Sequence, residues 1–320
     1  MLWLLAMAAL LGTTPALSIA QSWPQRPVRI VIPYGPGSSP DVFARILAER
    51  LSPRLGQPVL VENRAGAGGN VGTGHVAKAA PDGYTFVIST NGPLVNNTVL
   101  YRKLSYDPFK ELAPVVLGGG QANVCTVRSD SGIQTMKDLV TAMRARPGQF
   151  NFSSIGVGSL SHLGIELLKA KTGTFAVHIP YPSSPAAVTA LLQGDVQFAC
   201  VPAVAVMPQV RAGRLRALAV STGTRSPLMP EVPTMKESGF PEVEAVAWMA
   251  MLAPAQTPAE VLSRMNREVN AVLQLPEVAT RFAELGITNR PLMPEEVAAF
   301  VAAETQRWGE VARRANIRAE

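Results

Sequence analysis

A short run of β-forming residues that stops in a glycine- or serine-rich turn, followed by apolar residues at helical spacing, recurs along this chain and restricts its fold more than any other feature. The first copy is Val28, Ile30, Val31 and Ile32, then the turn 33–40, then the stripe Val42, Phe43, Ile46, Leu47 and Leu51. Ser39 is expected as N-cap with Pro40 at N1 and Asp41 in the first turn, and Gly56 ends the helix. The second copy is the strand 59–62, the glycine-rich loop 64–74 and a helix whose tail is 75–80. A third strand, 84–89, follows the Pro81-Asp82-Gly83 turn and stops at Ser89, Thr90 and Asn91.

Farther on, the strand 150–154, the loop 155–159 and the stripe Leu160, Leu163, Leu167 and Leu168 repeat the unit, capped by Ser159 or Ser161. The segment 177–181, with Ser183 or Ser184 as cap, Pro185 at N1 and Gly194 past the end, repeats it again. Two more strands are expected at 196–201 and 215–220. Strands alternating with helices predict an α/β fold with mostly parallel sheets flanked by helices, and such sheets bind ligands at the carboxyl ends of their strands.

The 320 residues suit two domains, and 47% apolar against 16% charged residues provides for large cores. Residues 115–127 read as a crossing into a second lobe and 245–253 as the return, with helices at 259–273, 277–285 and 295–314. The expected division is a first lobe of 21–122 plus 248–320 around an inserted lobe of 123–247, joined by crossing strands that act as a hinge. Residues 1–20 form an uncharged apolar run ending Ser18-Ile19-Ala20, the pattern of a cleaved signal peptide. The expected product is a periplasmic protein cut after Ala20.

The net charge of +6 arises from basic residues scattered singly or in short groups such as Arg211, Arg214 and Arg216, without interleaved aromatic residues. That pattern excludes nucleic acid as the expected partner. Cys125 and Cys200 are either two buried thiols or one disulfide. The three histidines, His75, His162 and His178, lie far apart in sequence with no ligand spacing for a metal, and no cofactor is expected. Ser159 and His162 are one helical turn apart, but no GxSxG elbow accompanies them, so no catalytic residue is assigned. Gly66, Gly68 and Gly72 suggest a dinucleotide loop, yet Val71 breaks the GxGxxG spacing. An NAD(P)-dependent oxidoreductase is therefore the weaker alternative, and a ligand sensor for a signalling partner is another.

Helix starts preceded by glycine-rich turns present free N–H groups and partial positive charge, so they hold anions without a charged side chain. Two such loops, 34–41 and 153–161, contain no Arg or Lys and come from opposite lobes. The expected ligand-binding residues are Tyr34, Pro36, Gly37, Ser38, Ser39 and Asp41 from the first loop, with Ser89, Thr90 and Asn91 after the third strand. From the second lobe come Ser153, Gly156, Gly158, Ser159, His162, Tyr181, Ser183 and Cys200.

These segments resemble the Bug receptors, the extracytoplasmic solute-binding subunits of tripartite tricarboxylate transporters. The resemblance rests on Trp23-Pro24 through Pro33-Tyr34, Val61-Glu62-Asn63-Arg64 with the glycines after it, and Pro81-Asp82-Gly83-Tyr84. Gly156-Val157-Gly158-Ser159 with His162-Leu163, Pro180-Tyr181, Gly213-Arg214-Leu215-Arg216 and Val232-Pro233-Thr234 continue it. It implies a two-lobed periplasmic binding protein fold of the second type, a monomer with integral-membrane transporter partners. The implied ligand is a small carboxylate held by backbone amides, hydroxyls and ordered waters. Two departures stand out. The family's Pro-Gly-Gly is Pro36-Gly37-Ser38 here, and the strand after Gly194-Asp195 ends Phe198-Ala199-Cys200-Val201-Pro202 without an acidic residue, which favours a ligand lacking an ammonium group.

Overall fold

The computed structural model describes residues 23–288, 292 and 294–314; the expected signal peptide lies outside the described residues. The strand–loop–helix units form as the sequence pattern predicts. β1 (Val28–Ile32), α1 (Ser39–Leu55), β2 (Val59–Asn63), α2 (Asn70–Ala77) and β3 (Thr85–Thr90) open the chain. A helical stretch follows, ending in α3 (Asn97–Leu100), and α4 (Pro108–Glu111) leads into the 17-residue β4 (Leu112–Arg128). Next come α5 (Met136–Ala145), β5 (Asn151–Ser154), α6 (Leu160–Thr172), β6 (Val177–Pro180), α7 (Ser184–Gln193), β7 (Phe198–Pro202), α8 (Ala203–Arg211) and β8 (Leu215–Val220). The chain returns on β9 (Val246–Pro254) and finishes with α9 (Ala259–Leu273), α10 (Pro276–Glu284), β10 (Ile287–Thr288) and α11 (Pro294–Arg314).

Two sheets share β4. The first runs β2-β1-β3-β9-β4 and the second β4-β7-β5-β6, with β8 and β10 also paired to β4. β1 pairs parallel with β2 and β3, and β5 pairs parallel with β6 and β7, whereas every pairing that involves β4 or β9 is antiparallel. The antiparallel joins follow from geometry, because a chain that leaves one sheet on β4 and comes back on β9 runs in opposite directions on the two. β4 pairs with β9 up to Ala122 and with β7 from Asn123 onward. Ser221 clasps the two crossings: its hydroxyl accepts from the Asn123 N–H at 3.0 Å and donates to the Ala245 carbonyl at 2.6 Å.

Each apolar stripe packs where its period sends it. Phe43, Ile46, Leu47 and Leu51 of α1 are buried with β1 and β3 residues in the main core. Met136, Leu139, Val140 and Met143 of α5 pack with Leu168, Phe152 and Phe198 in the core of the second sheet. Cys125 and Cys200 face each other across β4 and β7 and form a disulfide inside that core, which resolves the open cysteine question.

Some boundaries differ from the sequence expectation. Ser38, not Ser39, is the N-cap of α1 and makes no side-chain capping bond; Asp41 does that work by accepting the Gly37 N–H at 2.9 Å. α2 begins at Asn70, earlier than the glycine-rich composition suggests; Gly72 within it serves close packing, since a Cβ there would stand 2.8 Å from the Pro33 Cα. α8 is absent from the sequence reading, since Pro208 inside it and the valines at 204 and 206 mask a helical period.

Candidate functional site

The turns after β1, β3, β5 and β6 all lie at strand carboxyl ends and converge on two chambers that meet at Ile155. The outer chamber, about 260 Å³, is walled by Tyr34, Tyr101, Tyr181, the 66–69 loop, Gly156, Val157 and three prolines. The inner one, about 20 Å³, is bounded by Ser39, Thr90, Asn91, Gln121, Asn123, Ser159, Ser161 and Trp248 among others. No lining residue of either chamber carries a formal charge.

The polarity of the inner chamber comes from side chains left unpaired. Ser39 Oγ, Asn91 Nδ2, Gln121 Oε1 and Asn123 Oδ1 are buried and have no hydrogen-bond partner among the described residues, and the same holds for Ser38 Oγ next to Ser39. Buried polar groups are normally paired, so these atoms keep hydrogen-bonding capacity free for a ligand or water in the chamber. Gln121 and Asn123 are two residues apart and so share one face of β4. α1 and α6 both start at this cavity, through Ser39 in one case and Leu160 in the other, and add the positive ends of their peptide dipoles.

The expected site residues divide into three groups. Tyr34, Ser39, Thr90, Asn91, Gly156, Ser159 and Tyr181 line the chambers. Ser38, Asp41, Ser89, Ser153, Gly158, His162 and Ser183 stand behind the lining and hold it. The Asp41 carboxylate accepts from Gly37, Arg45 and Asn63. Burial pushes its pKa up, but the bonds from Arg45, the Gly37 amide and Asn63 outweigh that and keep it below the ordinary value. Ser89 is bonded to Thr73 at 2.8 Å, Ser153 donates to the Ala187 carbonyl at 3.0 Å, and Ser183 caps α7 by accepting the Ala186 N–H. Ser159 itself is committed within its loop, accepting the His162 N–H and donating to the Gly156 carbonyl at 2.7 Å.

The third group does not reach the cavity. Pro36 and Gly37 are exposed on the outside of their turn, and the sulfur of Cys200 is held in the disulfide, packed with the second core. Gln121, Asn123, Trp248, Tyr101, Val157 and the 66–69 loop also line the chambers and are not among the expected ligand-binding residues. The first two were detectable as polar residues interrupting an otherwise apolar crossing run. The 66–69 glycines serve close approach of chain to chain: a Cβ on Gly68 would overlap the Val157 carbonyl, and one on Gly156 would stand 2.8 Å from the Gly68 Cα.

His162 and His178, far apart in sequence, are stacked with ring centroids 3.9 Å apart. Burial, then the neighbouring His178 and Lys169, drives the His162 pKa down to about 3; burial and Lys169 bring His178 to about 4. Both rings are therefore neutral at ordinary pH. Among the described residues no group of three or more His, Cys, Asp or Glu could hold a metal, and no helix is long and apolar enough to cross a membrane.

Several direct bonds already tie the two sheets together around the cavity. The Gly35 N–H donates to the Pro182 carbonyl at 3.1 Å, and the Asn96 carboxamide donates to the Gly158 carbonyl at 2.7 Å. Tyr34 bridges within the first sheet, its hydroxyl 2.7 Å from Thr90 Oγ1.

Comparison with known proteins agrees with this arrangement. The model of the tripartite tricarboxylate transporter family receptor matches residues 43–317. Protein BugT of Bordetella pertussis is 39% identical over 92% of this chain and 90% of its own length. Among solved structures, R. palustris Rpa4515 with adipate has a TM-score of 0.90 and 34% identity, covering 93% of this chain and 99% of that one. MatC (Rpa3494) from Rhodopseudomonas palustris with bound malate has a TM-score of 0.87 and 30% identity, covering 90% and 99%. The chain belongs to the tripartite tricarboxylate transporter family of receptors.

Proposed function

We propose that this receptor closes its two lobes on a small carboxylate, leaves it chemically unchanged, and delivers it to integral-membrane transporter subunits. The observation that carries the reading is the set of buried, unpartnered hydroxyl and carboxamide groups at Ser39, Asn91, Gln121 and Asn123, facing an uncharged cavity at two helix N-termini. The Ser39 hydroxyl, the Asn91 amide N–H and the helix-end N–H groups donate to a carboxylate while adding no counter-charge, and the Gln121 and Asn123 oxygens accept from a bridging water or a ligand hydroxyl, so release stays within reach. The adipate and malate bound by two relatives are of the same chemical class.

The proposed lobes are 21–122 with 248–320, and 123–247. The exchange of β4's partner between Ala122 and Asn123 supports that boundary. The proposal places the mature protein in the periplasm as a monomer after cleavage near Ala20, with β4 and β9 as the hinge.

Thermal-shift screening of mature protein against mono-, di- and tricarboxylates, followed by calorimetry, tests the reading. A ligand that binds only the folded state raises the melting temperature. At least one acid is expected to do so and to be recovered intact. A panel without a single shift, or consumption of the acid that binds, overturns the proposal.

A further inference from the structure

The loop 155–159, which walls both chambers, is held from behind by two imidazoles. The His162 Nδ1 accepts the Gly158 N–H at 3.3 Å, and the His178 Nε2 lies 2.5 Å from Ser154 Oγ, which in turn accepts the Gly156 N–H at 3.1 Å. An amide N–H only donates, so the nitrogen it meets must carry a lone pair. That requires His162 to be neutral, with its proton on Nε2, which faces Glu166 Oε1 at 3.7 Å.

The surroundings enforce neutrality. The rings stack 14° from parallel, His178 also stacks on Phe152 at 5.0 Å, and the Lys169 ammonium sits over the Phe152 ring. Glu166 is the one carboxylate that these contacts place beside the pair, and Lys169 already pairs with it at 2.7 Å. Two imidazolium ions at this spacing beside an ammonium would repel strongly.

We infer that His162 and His178 form a positioning pair, whose neutral nitrogens hold the amides of Gly158 and, through Ser154, of Gly156, and so set the shape of the ligand-facing loop. This rests on the reading that the loop is part of the carboxylate site. The competing account is that the rings are only apolar filling.

Two substitutions separate the accounts by sign. His162→Asn places an amide oxygen where Nδ1 stood and loses most of the ring; His162→Phe keeps the ring and loses the acceptor. The readout is amide hydrogen exchange at Gly158 in ligand-free protein, measured alongside affinity for an acid that binds the parent. Exchange without ligand does not depend on the carboxylate reading, so the two proposals fail separately. The positioning role predicts that His162→Asn keeps Gly158 protected and that His162→Phe loses about tenfold in both protection and affinity, the worth of one hydrogen bond.

Protection retained in His162→Phe and lost in His162→Asn overturns the inference. If neither variant folds, the parent decides it by 15N spectroscopy of the imidazoles during acid titration. Gly158 should lose protection in step with protonation of His162, and protection that is indifferent to that proton sinks the idea.

Discussion

Gly158 lies so close to the Asn97 carboxamide that a Cβ on the glycine would overlap Oδ1. The glycine has a φ of +80°, where L side chains are strained, and its carbonyl accepts from Asn96. Residues 96 and 97 follow β3 and residue 158 follows β5, so this contact locks one sheet's loops onto the other's. Gly158→Val is expected to hold the loops apart and weaken ligand binding by about 100-fold, about 2.7 kcal/mol. Calorimetry measures the loss, and circular dichroism checks that both cores still fold. A folded variant that binds as the parent does would show that the contact is incidental.

The Cys125–Cys200 disulfide closes a separation of 75 residues within the second sheet. The chain-entropy account assigns such a crosslink about 4 kcal/mol. Reduction should therefore lower the urea midpoint substantially while leaving affinity intact in native buffer, since neither cysteine lines the chambers. Loss of affinity on reduction, with the fold retained, would return Cys200 to the binding site.

The strand–loop–helix units were legible because period, cap and breaker agree locally, as at Ser183, Pro185 and Gly194 of α7. What the sequence concealed is which side chains are already satisfied. Ser159 and Asp41 look like ligand contacts by type and place, and their polar atoms are already bonded, Ser159 within its own loop and Asp41 to Gly37, Arg45 and Asn63. Gln121 looks like an intrusion in a strand and proves to be an unpaired group at the cavity. The His162–His178 stack joins a helix to a neighbouring strand, a pairing that sequence separation does not encode.

Stability should fall as the solution turns acidic below about pH 6.5. In the unfolded chain the two imidazoles take up protons near pH 6.5, whereas in the folded protein they resist until about 4 for His178 and about 3 for His162. Between those limits the unfolded state holds more protons, so each imidazole removes up to about 1.4 kcal/mol of stability per pH unit. The contribution is complete above pH 6.5 and is lost by about pH 3. Urea midpoints between pH 7 and 5 measure it. A double His162→Asn, His178→Asn variant should show a flatter profile, and an unchanged slope would mean that other groups set it.

The last prediction sets stability against binding at Gln121 and Asn123. Both oxygens are buried on β4 without a partner, and both residues line the inner chamber. An unpaired buried acceptor costs about 1–3 kcal/mol relative to a satisfied one, and an apolar replacement of similar shape removes that cost. Gln121→Met and Asn123→Leu should each leave the ligand-free melting temperature unchanged or raise it. The same changes remove acceptor oxygens to which a ligand hydroxyl or a water bridging to the carboxylate would donate, along with the carboxamide N–H donors, so affinity should drop about tenfold for each. The two effects have opposite signs only if the unpaired atoms are kept for a ligand. Variants that lose stability and keep full affinity would instead make these side chains part of the packing around β4, and the inner chamber would cease to be the site.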